Sequence, residues 1–133
     1  MKTYKLISLL LIFLFILSCG STMKFPISDI TPAADIIVKK KQDENGNLII
    51  LVSAKNLAAV ERLSPSKNAY VVWVITDNSE VRNIGQLKNL NVQTTSLQSI
   101  VPFMFWEIFI TAEDYADALL PTGTEISRVR FSK

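Results

Sequence analysis

The sequence predicts an all-β fold, a single antiparallel β-sandwich of about seven strands, and three observations predict it. Apolar residues recur in short runs of period two, as in Leu48, Ile50, Val52 and Ala54, rather than at sustained helical spacing. Turn-forming clusters such as Asp43-Glu44-Asn45-Gly46, Asp77-Asn78-Ser79-Glu80 and Pro121-Thr122-Gly123 punctuate those runs. Long helical patterns do not alternate with the strands, which argues against a parallel sheet built from crossovers.

The N-terminus is of another kind. Lys2 and Lys5 form a short positive segment, Leu6 to Leu17 an apolar one, and small residues follow at Ser18, Gly20 and Ser21, the layout of a signal peptide. The apolar run is shorter than the roughly 20 residues a spanning helix needs. Ile16-Leu17-Ser18-Cys19 resembles a bacterial lipobox, which implies diacylglycerol on the Cys19 thiol and cleavage just before it. The alternatives are an ordinary signal peptide with an unrelated cysteine, or a short uncut anchor helix. The expected organisation is a signal peptide at 1–18, a lipidated tether at 19–33 and a sandwich at 34–133. Two prolines, a glycine and several hydroxyl residues without sustained periodicity in residues 20–33 suggest the tether, and these fourteen residues fully extended would reach about 46 Å.

From residue 35 the strands follow in order. Ile36 and Val38 alternate with polar neighbours ahead of Lys39, Lys40 and Lys41, and Asn45-Gly46 favours a turn into the strand carrying Leu48, Ile50, Val52 and Ala54 on one face. Leu57 to Leu63 suits a helical turn inside a connection that stops at Pro65. Tyr70 to Ile75 is apolar on both faces, the mark of a central, doubly covered strand. Val81 to Leu87 returns, with Gly85 at a bulge or close approach. Val92 to Leu97, rich in Thr and Gln, suits an edge. Phe103 to Thr111 places Met104, Trp106, Ile108 and Ile110 on one face while Glu107 interrupts the other. Thr111-Ala112-Glu113-Asp114 reads as a helix cap, with one or two turns over Tyr115 to Leu120, before a last strand near Glu125 to Phe131. The type expected is immunoglobulin-like.

Four short stretches, Tyr70-Val71-Val72-Trp73-Val74, Ile84-Gly85-Gln86-Leu87, Ile110-Thr111-Ala112-Glu113 and Pro121-Thr122-Gly123, resemble in order the extracytoplasmic C-terminal domain of RskA-type anti-sigma factors. The similarity covers roughly residues 35 to 130. It implies a sandwich fold and an extracytoplasmic setting. Such proteins also carry a cytoplasmic sigma-binding domain and a membrane-spanning helix, which have no counterpart in this sequence, so sigma-factor binding is not implied. Asp114-Tyr115-Ala116-Asp117 also stands where the family often has Gly-Gly.

Composition excludes several function classes. The net charge of +2 comes from Lys2 and Lys5, so the expected mature domain is neutral and lacks the basic surplus of a nucleic-acid binder. With no histidine and one cysteine, there is no intrachain disulfide, no Cys/His zinc site and no imidazole copper site. The serines lack a histidine base and a Gly-x-Ser-x-Gly elbow, and the four glycines form no phosphate-cradling loop. No catalytic residue, metal or cofactor is therefore expected. Trp73 and Trp106 are expected in the core rather than as sugar platforms. Lys39 to Lys41 read as an edge-blunting or turn-solvating run, with headgroup contact as the alternative. Glu113, Asp114 and Asp117 read as the acidic first turn of a helix rather than a calcium site.

The expectation is a non-catalytic envelope lipoprotein, lipid-anchored in the outer membrane with its domain in the periplasm, contacting an envelope protein in sensing or assembly. The alternative is a small-ligand or glycan-binding module. Gly20 rather than Asp after Cys19 suggests the outer membrane. Replacing Cys19 with Ala is expected to leave a full-length precursor without acyl label. A variant labelled and membrane-bound like the parent chain would remove the lipidation reading.

Overall fold

The computed structural model describes residues 20–91 and 93–132; Cys19 and the signal segment lie outside the described residues. In chain order the strands are β1 (Ser21–Lys24), β2 (Asp35–Gln42), β3 (Leu48–Lys55), β4 (Ala69–Thr76), β5 (Val81–Gln86), β6 (Lys88–Asn89), β7 (Thr94–Val101), β8 (Phe105–Glu113) and β9 (Thr124–Arg130). They form two antiparallel sheets, ordered β1-β2-β3-β7-β6 and β5-β4-β8-β9. With β2, β3, β7 and β6 standing as strands A, B, E and D, and β5, β4, β8 and β9 as C′, C, F and G, this is the strand order of an immunoglobulin-like sandwich.

Local chemistry explains the elements. In the β2–β3 hairpin the Asp43 carboxyl accepts the N–H groups of Asn45 and Asn47 at 2.8 and 2.9 Å, and Gly46 takes a φ of +82°. That turn sets the register in which Ile36 and Val38 face Ala54 and Val52. Strand β4 lies between β5 and β8 with both faces covered: Tyr70, Val72 and Val74 point into the space between the sheets, and Ala69, Val71 and Trp73 pack on the outer side. Each fully buried Val or Ile contributes roughly 1.5–3 kcal/mol. The connection after β3 contains the expected turn, a 3-10 helix at Val60–Arg62.

Among the described residues nine strands build the sandwich expected to have about seven, β1 and β6 being the additions, and the first corrects the expected tether. Residues 20–33 are not a free tether. Ser21 to Lys24 pair with Lys40 to Ile37, Phe25 is 3% exposed within the core, and Ser127 Oγ donates to the Pro26 carbonyl at 2.7 Å. Ser28 Oγ accepts the N–H groups of Ile30 and Thr31, folding the rest of the segment back. Met23, Phe25 and Ile27 supply three apolar positions of period two, but Pro26 interrupts them, which in a sequence reading favours a linker. The other addition, β6, is two residues long and lies on the far side of β7.

A bulge corrects the faces of β8. Ile75 pairs with Glu107 but Thr76 pairs with Phe105, so Trp106 is an extra residue and the alternation flips at that point. Phe105 turns into the core, Trp106 is half-buried at the rim, and Met104 is 50% exposed. Neither Met104 nor Trp106 is the core residue that strict alternation suggests. Gly85 does sit at a bulge, where Val72 faces Gly85 and Trp73 faces Asn83. Its φ is +127°, and a Cβ there would lie 2.9 Å from Leu97 Cδ1, so glycine lets β5 approach β7.

Because Phe25 belongs to the core, Phe25→Ala should cost about 3 to 5 kcal/mol. A domain beginning at residue 34 should unfold at a distinctly lower temperature than one beginning at Gly20. Equal unfolding midpoints would show that the N-terminal segment carries no stability.

Candidate functional site

The outer face of the second sheet requires a cover, because β4 and β8 present Val71, Trp73 and Phe109 there. Residues 114–123, expected to be partly helical, form an irregular loop that provides it. Ala116 and Ala118 pack against this apolar row, and their carbonyls accept hydrogen bonds from Asn83 Nδ2 at 2.9 and 3.0 Å. Glu113 is the last residue of β8 rather than the start of a helix.

The root of the loop is a buried hydrogen-bond chain. Trp73 Nε1 donates to Thr111 Oγ1 at 2.8 Å, the Thr111 hydroxyl donates to Glu113 Oε1 at 2.5 Å, and the Thr122 hydroxyl donates to Glu113 Oε2 at 3.2 Å. Glu113 is 2% exposed. Gly123 completes the closure: a Cβ there would fall 1.7 Å from the Ala112 carbonyl oxygen. Asp114 turns outward to Lys67 Nζ at 3.1 Å, and Asp117 is exposed, so the three acidic residues of this stretch do not converge. Among the described residues no group of three His, Cys, Asp or Glu side chains is placed to hold a metal.

A second buried acid lies on the same sheet. The Glu107 carboxyl takes both Arg128 and Arg130, the latter at 2.6 Å. Arg128 also forms a fork to Glu125 at 2.9 and 2.8 Å and lies 4.0 Å from the centre of the Phe109 ring. The hydrogen bond and charge of Arg128 hold the Glu125 carboxyl below its usual range. These contacts close the β8–β9 side of the face.

The ladders give the domain two poles. Gly20, the 43–47 and 77–80 turns, the 102–104 link and Phe131 lie at the N-terminal pole. Loops 25–34, 56–68 and 114–123 and the β6–β7 turn leave the strands at the distal pole. Among the described residues, six of the eight exposed large apolar side chains lie on these distal connections: Ile27, Ile30, Leu90, Tyr115, Leu119 and Leu120. The other two, Ile100 and Met104, lie toward the N-terminal pole.

Both poles have recesses. The distal one, about 340 Å³, is lined by Ala58, Val60, Asn68, Tyr70 and Leu87. There the Tyr70 hydroxyl donates to the Ala58 carbonyl at 2.7 Å, and burial pushes its pKa up to about 12. At the N-terminal pole an open hollow of about 630 Å³ is lined by Lys40, Asp77, Met104, Phe105, Trp106 and Phe131.

Of the residues singled out in the sequence, Trp73 is fully buried, but beneath the loop rather than between the sheets. Lys39 and Lys41 are exposed, whereas Lys40 points toward the core edge with Nζ 4.1 Å from the Phe131 ring centre. Cys19 lies outside the described residues. Leu119 and Leu120 were not singled out, because beside Ala116 they resemble one side of a short helix. The signal for their exposure is Pro121, which cuts that helix short.

Gly123→Ala should destabilise the domain by about 3 kcal/mol or more, because the clash is with backbone rather than with a movable side chain. The check is thermal unfolding; a midpoint like that of the parent domain would mean that the loop closes by another route. In comparisons with known protein families, curated proteins and solved structures, no match to this chain was found.

Proposed function

We propose that this chain is a non-catalytic lipoprotein of the bacterial cell envelope, anchored through lipid on Cys19 in the outer membrane, whose sandwich offers its distal pole to a protein partner in the periplasm. The setting is envelope sensing or assembly. The observation that carries this reading is the inverted burial of the 114–123 loop. Ala116 and Ala118 face inward while Tyr115, Leu119 and Leu120 are 73, 89 and 66% exposed. Burial alone would favour the opposite arrangement, since a leucine gains more than an alanine on leaving water. The loop is fastened at Asn83 and Glu113, so the leucines stand on a fixed support. Exposed apolar groups on a held surface suit a protein contact.

The likeness to the outer domain of RskA-type anti-sigma factors enters this proposal as scaffold and setting only. A small ligand or glycan is the second reading, favoured by the distal recess beneath Tyr70.

The test is in-cell crosslinking of the full lipidated chain. Leu119→Glu with Leu120→Glu should lower the yield of the specific adduct at least about tenfold while leaving thermal stability nearly unchanged, because exposed substitutions usually cost within about 0.5 kcal/mol. Ile100→Glu, toward the other pole, should leave the adduct intact. An adduct indifferent to the leucine pair, but lost on altering the recess with Ala58→Arg, would move the function to the ligand reading.

A further inference from the structure

We infer that the N-terminal pole is a membrane-contact surface, seated on the phospholipid headgroup layer with Trp106 and Met104 at its boundary and Lys40 and Lys41 on headgroup phosphates. The inference rests on the lipid reading of Cys19. Its first support is the length of the attachment. Strand β1 begins at Ser21, and Gly20 already lies against the sheet, where a Cβ would be 3.5 Å from the Lys40 carbonyl oxygen and 3.8 Å from Lys41 Cβ. One peptide unit of about 3.8 Å separates the Cα of Gly20 from that of Cys19. An anchor there holds this pole within about a nanometre of the headgroups, not at the end of a fourteen-residue tether.

The second support is what the pole presents. Trp106 is half-buried, with Nε1 donating to the Thr76 carbonyl at 3.1 Å and the Arg130 guanidinium 5.6 Å from its ring centre, a cation that would reach for headgroup phosphate there, and Met104 is half-exposed at the same pole. An indole with one polar edge satisfied and an apolar edge at a rim suits the boundary between water and acyl chains. Lys40 caps the aromatic pair Phe105–Phe131, its Nζ 5.1 and 4.1 Å from the two ring centres. Its side chain is half-buried, and that burial lowers its pKa against the opposing charge of Asp77. Asp43, Glu44 and Asp77 lie at the same pole. The mixture of ammonium and carboxyl groups fits a zwitterionic headgroup, phosphate against lysine and amine against carboxylate, better than a strongly anionic surface. Tethering gives even a weak contact a millimolar effective concentration, so these few groups suffice.

The test uses residues 19–133, which contain the whole described core, with Cys19 coupled chemically to a maleimide lipid in phosphatidylcholine–phosphatidylethanolamine vesicles. Hydroxyl-radical footprinting should show Met104 oxidation falling about fivefold against the free domain, while Tyr115 at the distal pole keeps its rate. Lipid brominated near the headgroup should quench the domain's tryptophan fluorescence, and Trp106→Phe should abolish the quenching. Unprotected Met104, protection of Tyr115 instead, or equal Met104 protection in the free domain at the same concentration would overturn the inference, the last by assigning the pole to a second copy. Chemical coupling makes this readout independent of cellular acylation. An unlabelled Cys19 in cells therefore removes the lipid reading, whereas a failed footprint removes only the orientation.

Discussion

The buried carboxyl of Glu113 is the contact on which the outer half of the domain depends, because it fastens the cover that a doubly apolar β4 demands. Trp73 and Val71 turn away from the inter-sheet core and would face water if residues 114–123 did not lie over them. Burying an acid costs several kcal/mol unless its oxygens are hydrogen-bonded. Here Thr111 serves one oxygen and Thr122 the other, and the Trp73 indole supports the Thr111 hydroxyl from behind. The acid, the indole and the loop are therefore interdependent. Gly123 makes the arrangement sterically possible, since any side chain there meets the Ala112 carbonyl.

Strand β8 buries two acids and treats them differently. Glu107 is matched by the guanidinium groups of Arg128 and Arg130, which also lie over Phe109 and Trp106. That side of the sheet is thereby covered by charged groups with apolar stems, a surface that water wets. Glu113 is matched by neutral hydroxyls, and what covers its side of the sheet is a loop whose larger apolar residues point outward. The difference concentrates exposed apolar area on the 114–123 side, leaving the β9 side polar.

Elements whose identity follows from residue-by-residue alternation were legible in the sequence. Ile36, Val38, Leu48, Ile50 and Val52 lie on the inward face as the pattern requires, and β4 is central because no polar residue interrupts Tyr70 to Ile75. What escaped the reading depends on contacts between distant segments. The face of Trp106 turns on a single bulge opposite Ile75, which alternation alone does not reveal. The first strand is invisible without its partner, since Ser21 to Lys24 gains its order from pairing with β2 and from Phe25 entering a core built by later strands. Thr111, Glu113, Thr122 and Gly123 were noticed as parts of short motifs. Their meeting across the loop, which makes those motifs structural, required the fold.

Replacing a tether by a strand changes what an N-terminal anchor does. A flexible fourteen-residue segment would let the domain sample every orientation above a membrane, and no face would be privileged. A strand locked to β2 by backbone pairing, with Phe25 plugged into the core just after it, would leave almost no slack between the domain and a lipid on Cys19. With lipid on Cys19 as proposed, the antiparallel ladders would convert attachment at one pole into display at the other, because an eight-residue strand at about 3.4 Å per residue separates them by about 27 Å. On that geometry Tyr115, Leu119 and Leu120 would stand clear of the headgroups on a loop that is itself pinned. Their exposure would then fit the proposed residence at a lipid surface: side chains that would insert if they lay at the anchored pole would be held beyond its reach, where the proposed partner could cover them.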